Sequence, residues 1–435
     1  MKFHQKEKKY HLFVLGCQMN RSDAERLAYV LERLGYQRTE NENEANLIIV
    51  VACSVRQSAI DRILGKAGNW QKLKEKRKLV LGLTGCVLPK DKPKLEKYFD
   101  FYFEIKDLKT LPSFLGEKPI FNLEKIDNYF QITPNYNSNF QAYVPISTGC
   151  DNFCSYCAVP YTRGREISRP AEEILCEVQQ LVNRGYKEIT LLGQNVNSYK
   201  GQIKENGKTI PIDFPDLLRK INEIEGNFWI RFLTSHPKDM SEKLIKTIAE
   251  CPKVCEYIHL PVQSGDNEIL KKMNRSYTVE HYKKLIERIR QEIKNVAIST
   301  DIIVGFPTES TEQFENTKKL MEEVQFDMAY IAQYSPRPGT AAAHLKDDVS
   351  KAEKKRREKE LTEVLEKTAL FNNQKYLGKE VEVLVEISKK GFLYGRTRTF
   401  KPVKFKGEKN LLGQFVKVKI LKCSAFSLEG ELSQP

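Results

Sequence analysis

Cys150, Cys154 and Cys157 stand in the stretch ISTGCDNFCSYCAVPYTRGREISRP (146–170) as a CxxxCxxC set, with no histidine between residues 140 and 176. Three thiolates hold three irons of a 4Fe-4S cube and leave the fourth iron open to a small molecule that binds metal directly. A structural zinc site is the alternative, but it closes with four ligands and would need one from a distant part of the chain. A second set, Cys17, Cys53 and Cys86, is dispersed. Each ends an apolar run: HLFVLGCQMN (11–20), ANLIIVVACSVR (45–56) and KLVLGLTGCV (78–87). One cysteine at a strand end is ordinarily a core thiol. Three in succession, two of them in Gly-Cys pairs, point to a second three-cysteine cluster with an open iron. Cys176, Cys251, Cys255 and Cys423 read as structural thiols: Cys176 falls in a helical stretch, and CPKVC (251–255) has no CxxC spacing.

The elements that must position these residues follow from periodicity. Between the first two apolar runs lies an amphipathic helix, SDAERLAYVLERLGY, with Ser22 as its expected cap and Gly35 as its stop. A second helical stretch covers 56–77. Alternating buried strands and helices predict a parallel α/β sheet, with the cysteines beyond the carboxyl ends of its strands, where ligands gather. The polar, Asn-rich segment 121–143 reads as a linker. Strand candidates then recur at 143–148, 187–192, 228–233, 256–260, 297–304 and 327–334, separated by helices such as 170–185 and 278–293. Six units predict an incomplete (β/α) barrel, since there is too little chain for eight. Polar residues follow its strands in turn: Gln194 and Asn195, Ser235 and His236, Gln263 and Ser264, Asp301, Gly305 and Pro307, then Tyr334, Ser335 and Arg337. Each alone is a turn residue; their recurrence on one side of six strands is the signal. Residues 354–378 read as a charged helix with an apolar stripe, a solvated connector. Five short β-rich pieces follow and predict a small β-barrel suited to single-stranded or looped RNA. The alternative is a charged barrel that only packs on the body.

A chain of 435 residues implies two to three domains, and 40% hydrophobic with 29% charged residues excludes a fibrous or disordered class. The start, MKFHQKEKKY, has no apolar h-region, and no run reaches the length of a membrane span. Ten cysteines in such a chain suit metal ligands and free thiols of a reducing compartment, so cytoplasm is expected. The formal charge is +14, and residues 371–435 carry 13 Lys/Arg against 6 Asp/Glu. That concentration at one end favours a polyanionic partner.

CxxxCxxC with Tyr156 before the last cysteine resembles the signature of the radical S-adenosylmethionine (SAM) enzymes, whose open iron chelates the amino and carboxylate groups of SAM. The longer stretch GCDNFCSYCAVPYTRGREISRP resembles the methylthiotransferases, and within them the branch acting on isopentenyladenosine in tRNA. GCQMN, the cysteine of CSVR, and GCV resemble the family's N-terminal domain, whose three cysteines hold an auxiliary 4Fe-4S cluster. There is one departure: Val51-Ala52 replaces the usual Asn-Thr before the second cysteine, so polar groups that could support the cluster are lost. LLGQNVNSY, TSHP, HLPVQSG, MNRSYT, STDIIVGFP and YSPRPGT resemble family segments in order, and the C-terminal stretch resembles a TRAM domain.

The resemblance implies an auxiliary-cluster domain (8–122) with ligands Cys17, Cys53 and Cys86, a radical-SAM barrel (140–370) with ligands Cys150, Cys154 and Cys157, and a TRAM-like barrel (371–435). Gln194, Gln263, Ser264 and Gly305 would line the SAM pocket, with no catalytic side chain beyond the clusters. The implied cofactors are two 4Fe-4S clusters and SAM. The implied partners are tRNA, an electron donor such as flavodoxin or ferredoxin, and a sulfur donor, with the chain a monomer and not membrane-bound. The implied reaction uses a 5′-deoxyadenosyl radical to remove the C2 hydrogen of isopentenyladenosine beside the anticodon, position 37; sulfur is then inserted and methylated by a second SAM. Threonylcarbamoyladenosine in tRNA and a ribosomal protein aspartate are the competing substrates within the family. A non-catalytic iron–sulfur RNA-binding protein is the competing class, and it would need no polar series around the open cluster.

Overall fold

The run LIIVVAC is apolar on both faces, as a strand covered on both sides must be, and it forms β3 (Leu47–Cys53), buried at every position. β1 (Lys8–Val14) and β4 (Val80–Cys86) flank it, with β2 (Tyr36–Arg38) and β5 (Phe101–Tyr102) outside them, all parallel in the order β2-β1-β3-β4-β5. The period of two splits β3 between two cores. Leu47, Ile49 and Val51 join Leu27 and Leu31 of α1 (Gln18–Arg33), while Ile48, Val50 and Ala52 join Ile63 and Trp70 of α2 (Gln57–Lys76). The computed structural model describes residues 8–55, 57–118, 128–205 and 207–433. They fall into two compact units, one drawn from Met1–Asn137, Thr148–Arg169 and Ser335–Ala343, the other from Ser138–Ser147, Pro170–Tyr334 and His344–Pro435.

Two local expectations in the first unit need correction. α1 begins at Gln18 with Cys17 as its N-cap, so Ser22 lies inside the helix, where its hydroxyl accepts from Arg26 Nη1 at 2.8 Å. Gly16, at φ +114, turns β1 directly into the helix and leaves no room for the extra turn that a Ser22 cap requires. The stop is where it was expected, with Gly35 at φ +84. Of the expected linker, residues 121–127 lie outside the described residues. Beyond them Tyr129, Phe130 and Ile132 bury in the α1-side core, because three large apolar side chains set among asparagines still find a place in it.

In the second unit six parallel strands appear where the pattern placed them: β6 (Gln141–Pro145), β7 (Glu188–Leu192), β8 (Trp229–Phe232), β9 (Tyr257–His259), β10 (Ala297–Val304) and β11 (Met328–Gln333). They pair as β8-β7-β6 and β9-β10-β11, and an isolated parallel bridge, Ile230 with Val254, ties β8 to the segment leading into β9. Helices between strands include Ala171–Asn183 and Val279–Glu292. A hairpin, Lys200–Glu205 against Lys208–Asp213, was not foreseen, although Asn206-Gly207 is a two-residue hairpin signal.

The helix Lys351–Gln374 is not a solvated connector. It packs along β11, burying Leu361, Val364, Leu365 and Ala369, and two of its basic residues go inward as pairs. Arg357 Nη1 lies 2.6 Å from Glu309, and Lys354 Nζ 2.6 Å from Asp347. The small barrel is closed, with β12 (Glu380–Lys389), β13 (Phe392–Thr397), β14 (Pro402–Lys406), β15 (Phe415–Cys423) and β16 (Leu428–Leu432) in the order β12-β13-β14-β16-β15. It is fastened to the (β/α) barrel by Arg231 of β8. That guanidinium reaches Glu188 at 2.5 Å and the carbonyls of Arg398 and Thr397 at 2.7 and 2.8 Å. Trp229 packs on Phe415 beside it, with ring centroids 4.6 Å apart. Among the described residues no helix is long and apolar enough to cross a membrane.

Candidate metal centres

Cys53 and Cys86 are the last register pair of the β3–β4 ladder, and Cys17 caps α1 directly after β1. The two Gly-Cys pairs have a steric reason. A Cβ on Gly16 would lie 2.9 Å from Cys53 Cβ, and one on Gly85, at φ +96, would lie 2.6 Å from the Ala52 carbonyl oxygen. Only glycine lets these turns close around the cysteines.

Asn20, fully buried on α1, organises the triad. Its Nδ2 donates to the carbonyls of Leu15 (2.9 Å) and Ala52 (2.7 Å). Its Oδ1 lies 3.6 Å from Cys17 Sγ and 3.8 Å from Cys86 Sγ. Arg163 brings a cation to the same place: Nε donates to Cys86 Sγ at 3.0 Å, and Nη2 donates to Asp23 at 2.6 Å and Asn20 Oδ1 at 3.2 Å. Burial pushes the Cys86 thiol up to about 12, with Arg163 pulling the other way. Burial also opposes the Arg163 charge, but Asp23 and then Cys86 hold its pKa well above the ordinary arginine value. Val51 and Ala52, in place of the usual polar pair, bury in the two apolar cores. Neither Asn20 nor Arg163 stood out in the sequence, because no spacing rule links position 163 to position 86.

The second triad lies in the same compact unit, on the loop before the short helix α3 (Val159–Arg163). Cys157 N donates to the Cys154 carbonyl at 2.9 Å, and Cys150 N to the Gly164 carbonyl at 3.2 Å. Phe153 takes a left-handed φ of 47, which turns the loop between Cys150 and Cys154. All three thiols are partly exposed, and burial raises the pKa of Cys150. The 335–343 segment fastens to this unit: Ala342 N donates to the Ser155 carbonyl at 2.7 Å, and Arg337 pairs with Asp91 at 2.5 Å. Among the described residues no three His, Cys, Asp or Glu side chains converge on a single-ion site. Three thiolates gripping three corners of a cube stand farther apart than three ligands of one ion. Cys251 and Cys255 are buried thiols, whereas Cys176 is exposed.

In the second unit the strand-end residues lie at the carboxyl ends of the barrel strands, but their side chains differ in availability. Asn195 Oδ1, Ser235 Oγ and Ser147 Oγ are buried polar atoms without a hydrogen-bond partner among the described residues, which suits a polar cofactor. Gln263 holds a left-handed φ of 74 while its backbone pairs with β10, its N donating to the Asp301 carbonyl at 2.9 Å. Such strain, about 1–3 kcal/mol, gathers at functional sites. Gln194 follows β7 and is half-buried. Ser264 is turned toward structure: its Oγ accepts from Asp266 N at 3.2 Å and meets Thr317 Oγ1 at 3.4 Å. Gly305 N donates to Glu309 at 2.6 Å, and a Cβ there would lie 2.4 Å from Lys354 Cγ, so this glycine also serves packing. His236 is pushed down to about 2 by burial, then by Arg275 and Lys238, and stays a neutral imidazole.

Residues 144–321 match the Radical SAM superfamily, residues 9–103 the Uncharacterized protein family UPF0004, and residues 374–433 the TRAM domain. The radical SAM methyltransferase TsrM of Kitasatospora setae, with tryptophan and a SAM analogue bound, shares the fold at a TM-score of 0.55 and 12% identity, over 78% of this chain and 75% of that one. Barrel, cysteine loop and matched modules define a radical SAM protein, a class that works with SAM and a 4Fe-4S cluster. The tRNA-2-methylthio-N(6)-dimethylallyladenosine synthase of Thermoanaerobacter pseudethanolicus is 46% identical over 97% of this chain and 92% of its own length. Those of Alkaliphilus oremlandii (44%; 99% and 93%) and Clostridium perfringens strain SM101 (43%; 98% and 98%) match equally fully. The chain belongs to the family of tRNA-2-methylthio-N(6)-dimethylallyladenosine synthases.

Proposed function

We propose that this protein is a tRNA methylthiotransferase that converts N6-isopentenyladenosine at position 37, beside the anticodon, to its 2-methylthio derivative. The observation that carries the reading is the pair of three-cysteine sets, both in one compact unit of a family member that covers 92% of a relative's length. Cys150, Cys154 and Cys157 would hold the SAM-binding cluster, and Cys17, Cys53 and Cys86 the auxiliary one. Bound there, clusters and SAM supply reductive cleavage, the sulfur atom and the methyl group.

The chain's own part is positioning. Glycines 16 and 85 let the auxiliary cysteines approach, and Asn20 fixes the carbonyls beside them. Gln194, Gln263, Ser264 and Gly305 are proposed for the SAM pocket, Ser264 and Gly305 through the backbone they shape. The domains are then 8–122 for the auxiliary cluster, 140–370 for radical chemistry and 371–435 for RNA. A flavodoxin- or ferredoxin-class reductant and a separate sulfur donor complete a monomeric, cytoplasmic enzyme.

Nucleoside mass spectrometry on tRNA from a host lacking the modification, with and without this gene, tests the proposal. Appearance of 2-methylthio-N6-isopentenyladenosine supports it; persistence of the unthiolated nucleoside alone, with both clusters loaded, overturns the substrate assignment.

A further inference from the structure

We infer that Arg163 is a positioning residue for the auxiliary cluster: its guanidinium donates to the sulfur of Cys86 and raises the reduction potential of the cluster held there. The inference rests on the proposal that Cys17, Cys53 and Cys86 are cluster ligands.

The orientation of Arg163 is fixed from several sides. Its side chain is 4% exposed and pairs with Asp23, which is fully buried. Asp23 also accepts from the Tyr129 hydroxyl, and the Arg26 guanidinium lies over the Tyr129 ring, 5.1 Å from its centroid. With Nη2 occupied by Asp23 and Asn20, the planar fork directs Nε at Cys86 Sγ, 3.0 Å away. A guanidinium bound only for structural reasons would place its donors on oxygen; here one is spent on a ligand sulfur.

The electrostatic consequence has a sign. Reduction adds one negative charge to a cluster and its thiolates. A cation and an N–H donor at a ligand sulfur stabilise the reduced form more than the oxidised one, so the potential rises. Cys17 is exposed, but Cys86, which Arg163 contacts, is 5% exposed and Cys53 8%, and low dielectric on that side enlarges the effect. Asp23 opposes it by partly neutralising the guanidinium. Val51 and Ala52 bury in the two apolar cores, and the triad's cationic donor comes from a segment far along the chain. That segment is the helix opening two residues after Cys157, so one short stretch carries three ligands of one cluster and the donor that tunes the other.

EPR-monitored potentiometry of the full chain carrying both clusters tests this, with the auxiliary signal assigned as the one missing from Cys53→Ala. If Cys53→Ala removes neither iron nor signal, the ligand assignment fails, and with it the ground for the inference. With that signal assigned, Arg163→Gln is expected to shift its midpoint downward, Arg163→Lys to restore part of the shift, and Asp23→Asn to shift it upward. Should Arg163→Gln lose the auxiliary iron, the lysine and Asp23→Asn variants still decide by direction. Unmoved midpoints, or shifts of one sign in Arg163→Gln and Asp23→Asn, overturn the role.

Discussion

Cys17, Cys53 and Cys86 lie at a helix cap and two strand ends, while Cys150, Cys154 and Cys157 share one loop, and the proposed function gives the two arrangements separable tasks. Cys154→Ala is therefore expected to abolish reductive cleavage of SAM, measured as 5′-deoxyadenosine formed with dithionite. Cys53→Ala is expected to spare cleavage and stop thiolation of tRNA. Loss of both activities in Cys53→Ala with the first cluster intact would refute the division. Cysteines ending strands could be read from sequence, since apolar runs and Gly-Cys pairs are local signals. Arg163 could not, because Asp23 and Cys86 lie far along the chain. Asn20 could only in part, since besides its neighbours Leu15 and Cys17 it reaches Ala52 and Cys86, which only folding brings to it.

Elements were legible in proportion to their periodicity. The six barrel strands fell within a few residues of their expected places, since near-continuous apolar runs identify covered parallel strands. The helix Lys351–Gln374 misled because Lys354 and Arg357 look solvated until Asp347 and Glu309 are seen beside them. Arg231 is a similar case within a strand. Arg231→Ala leaves Glu188 and two carbonyls without their donor, and breaking such a buried pair costs about 3–5 kcal/mol. A lower thermal transition is expected, while Arg231→Lys should recover part of it. If Arg231→Ala melts like the parent, the pair does not fasten the small barrel.

Across the whole molecule, positive charge concentrates at the C-terminal end, in the residues that match the TRAM domain. On β14 and β15 the inward Val403, Phe405, Val418 and Ile420 alternate with outward lysines, of which Lys406, Lys417 and Lys419 are exposed. Exchanging Lys406 and Lys419 for Glu is expected to weaken tRNA binding. The slope of log affinity against log salt should also flatten, by about 0.7–0.9 for each phosphate no longer neutralised. Cleavage of SAM without tRNA should stay unchanged. An unaltered salt slope would move the RNA footprint elsewhere. Net charge pointed to this end, but which lysines face outward depended on strand register, which composition does not carry.

The first compact unit is assembled from three separate lengths of chain, the last being Ser335–Ala343. On the ribosome the five-stranded sheet with Cys17, Cys53 and Cys86 emerges early, whereas Arg337 and Ala342, which fasten to Asp91 and Ser155, emerge only after most of the (β/α) barrel has been made. Synthesis therefore exposes the two thiol sets in sequence. The dispersed set can gather while translation continues, and the CxxxCxxC loop gains its last anchor near the end, so the order in which the two thiol sets are completed is written into the connectivity of the chain.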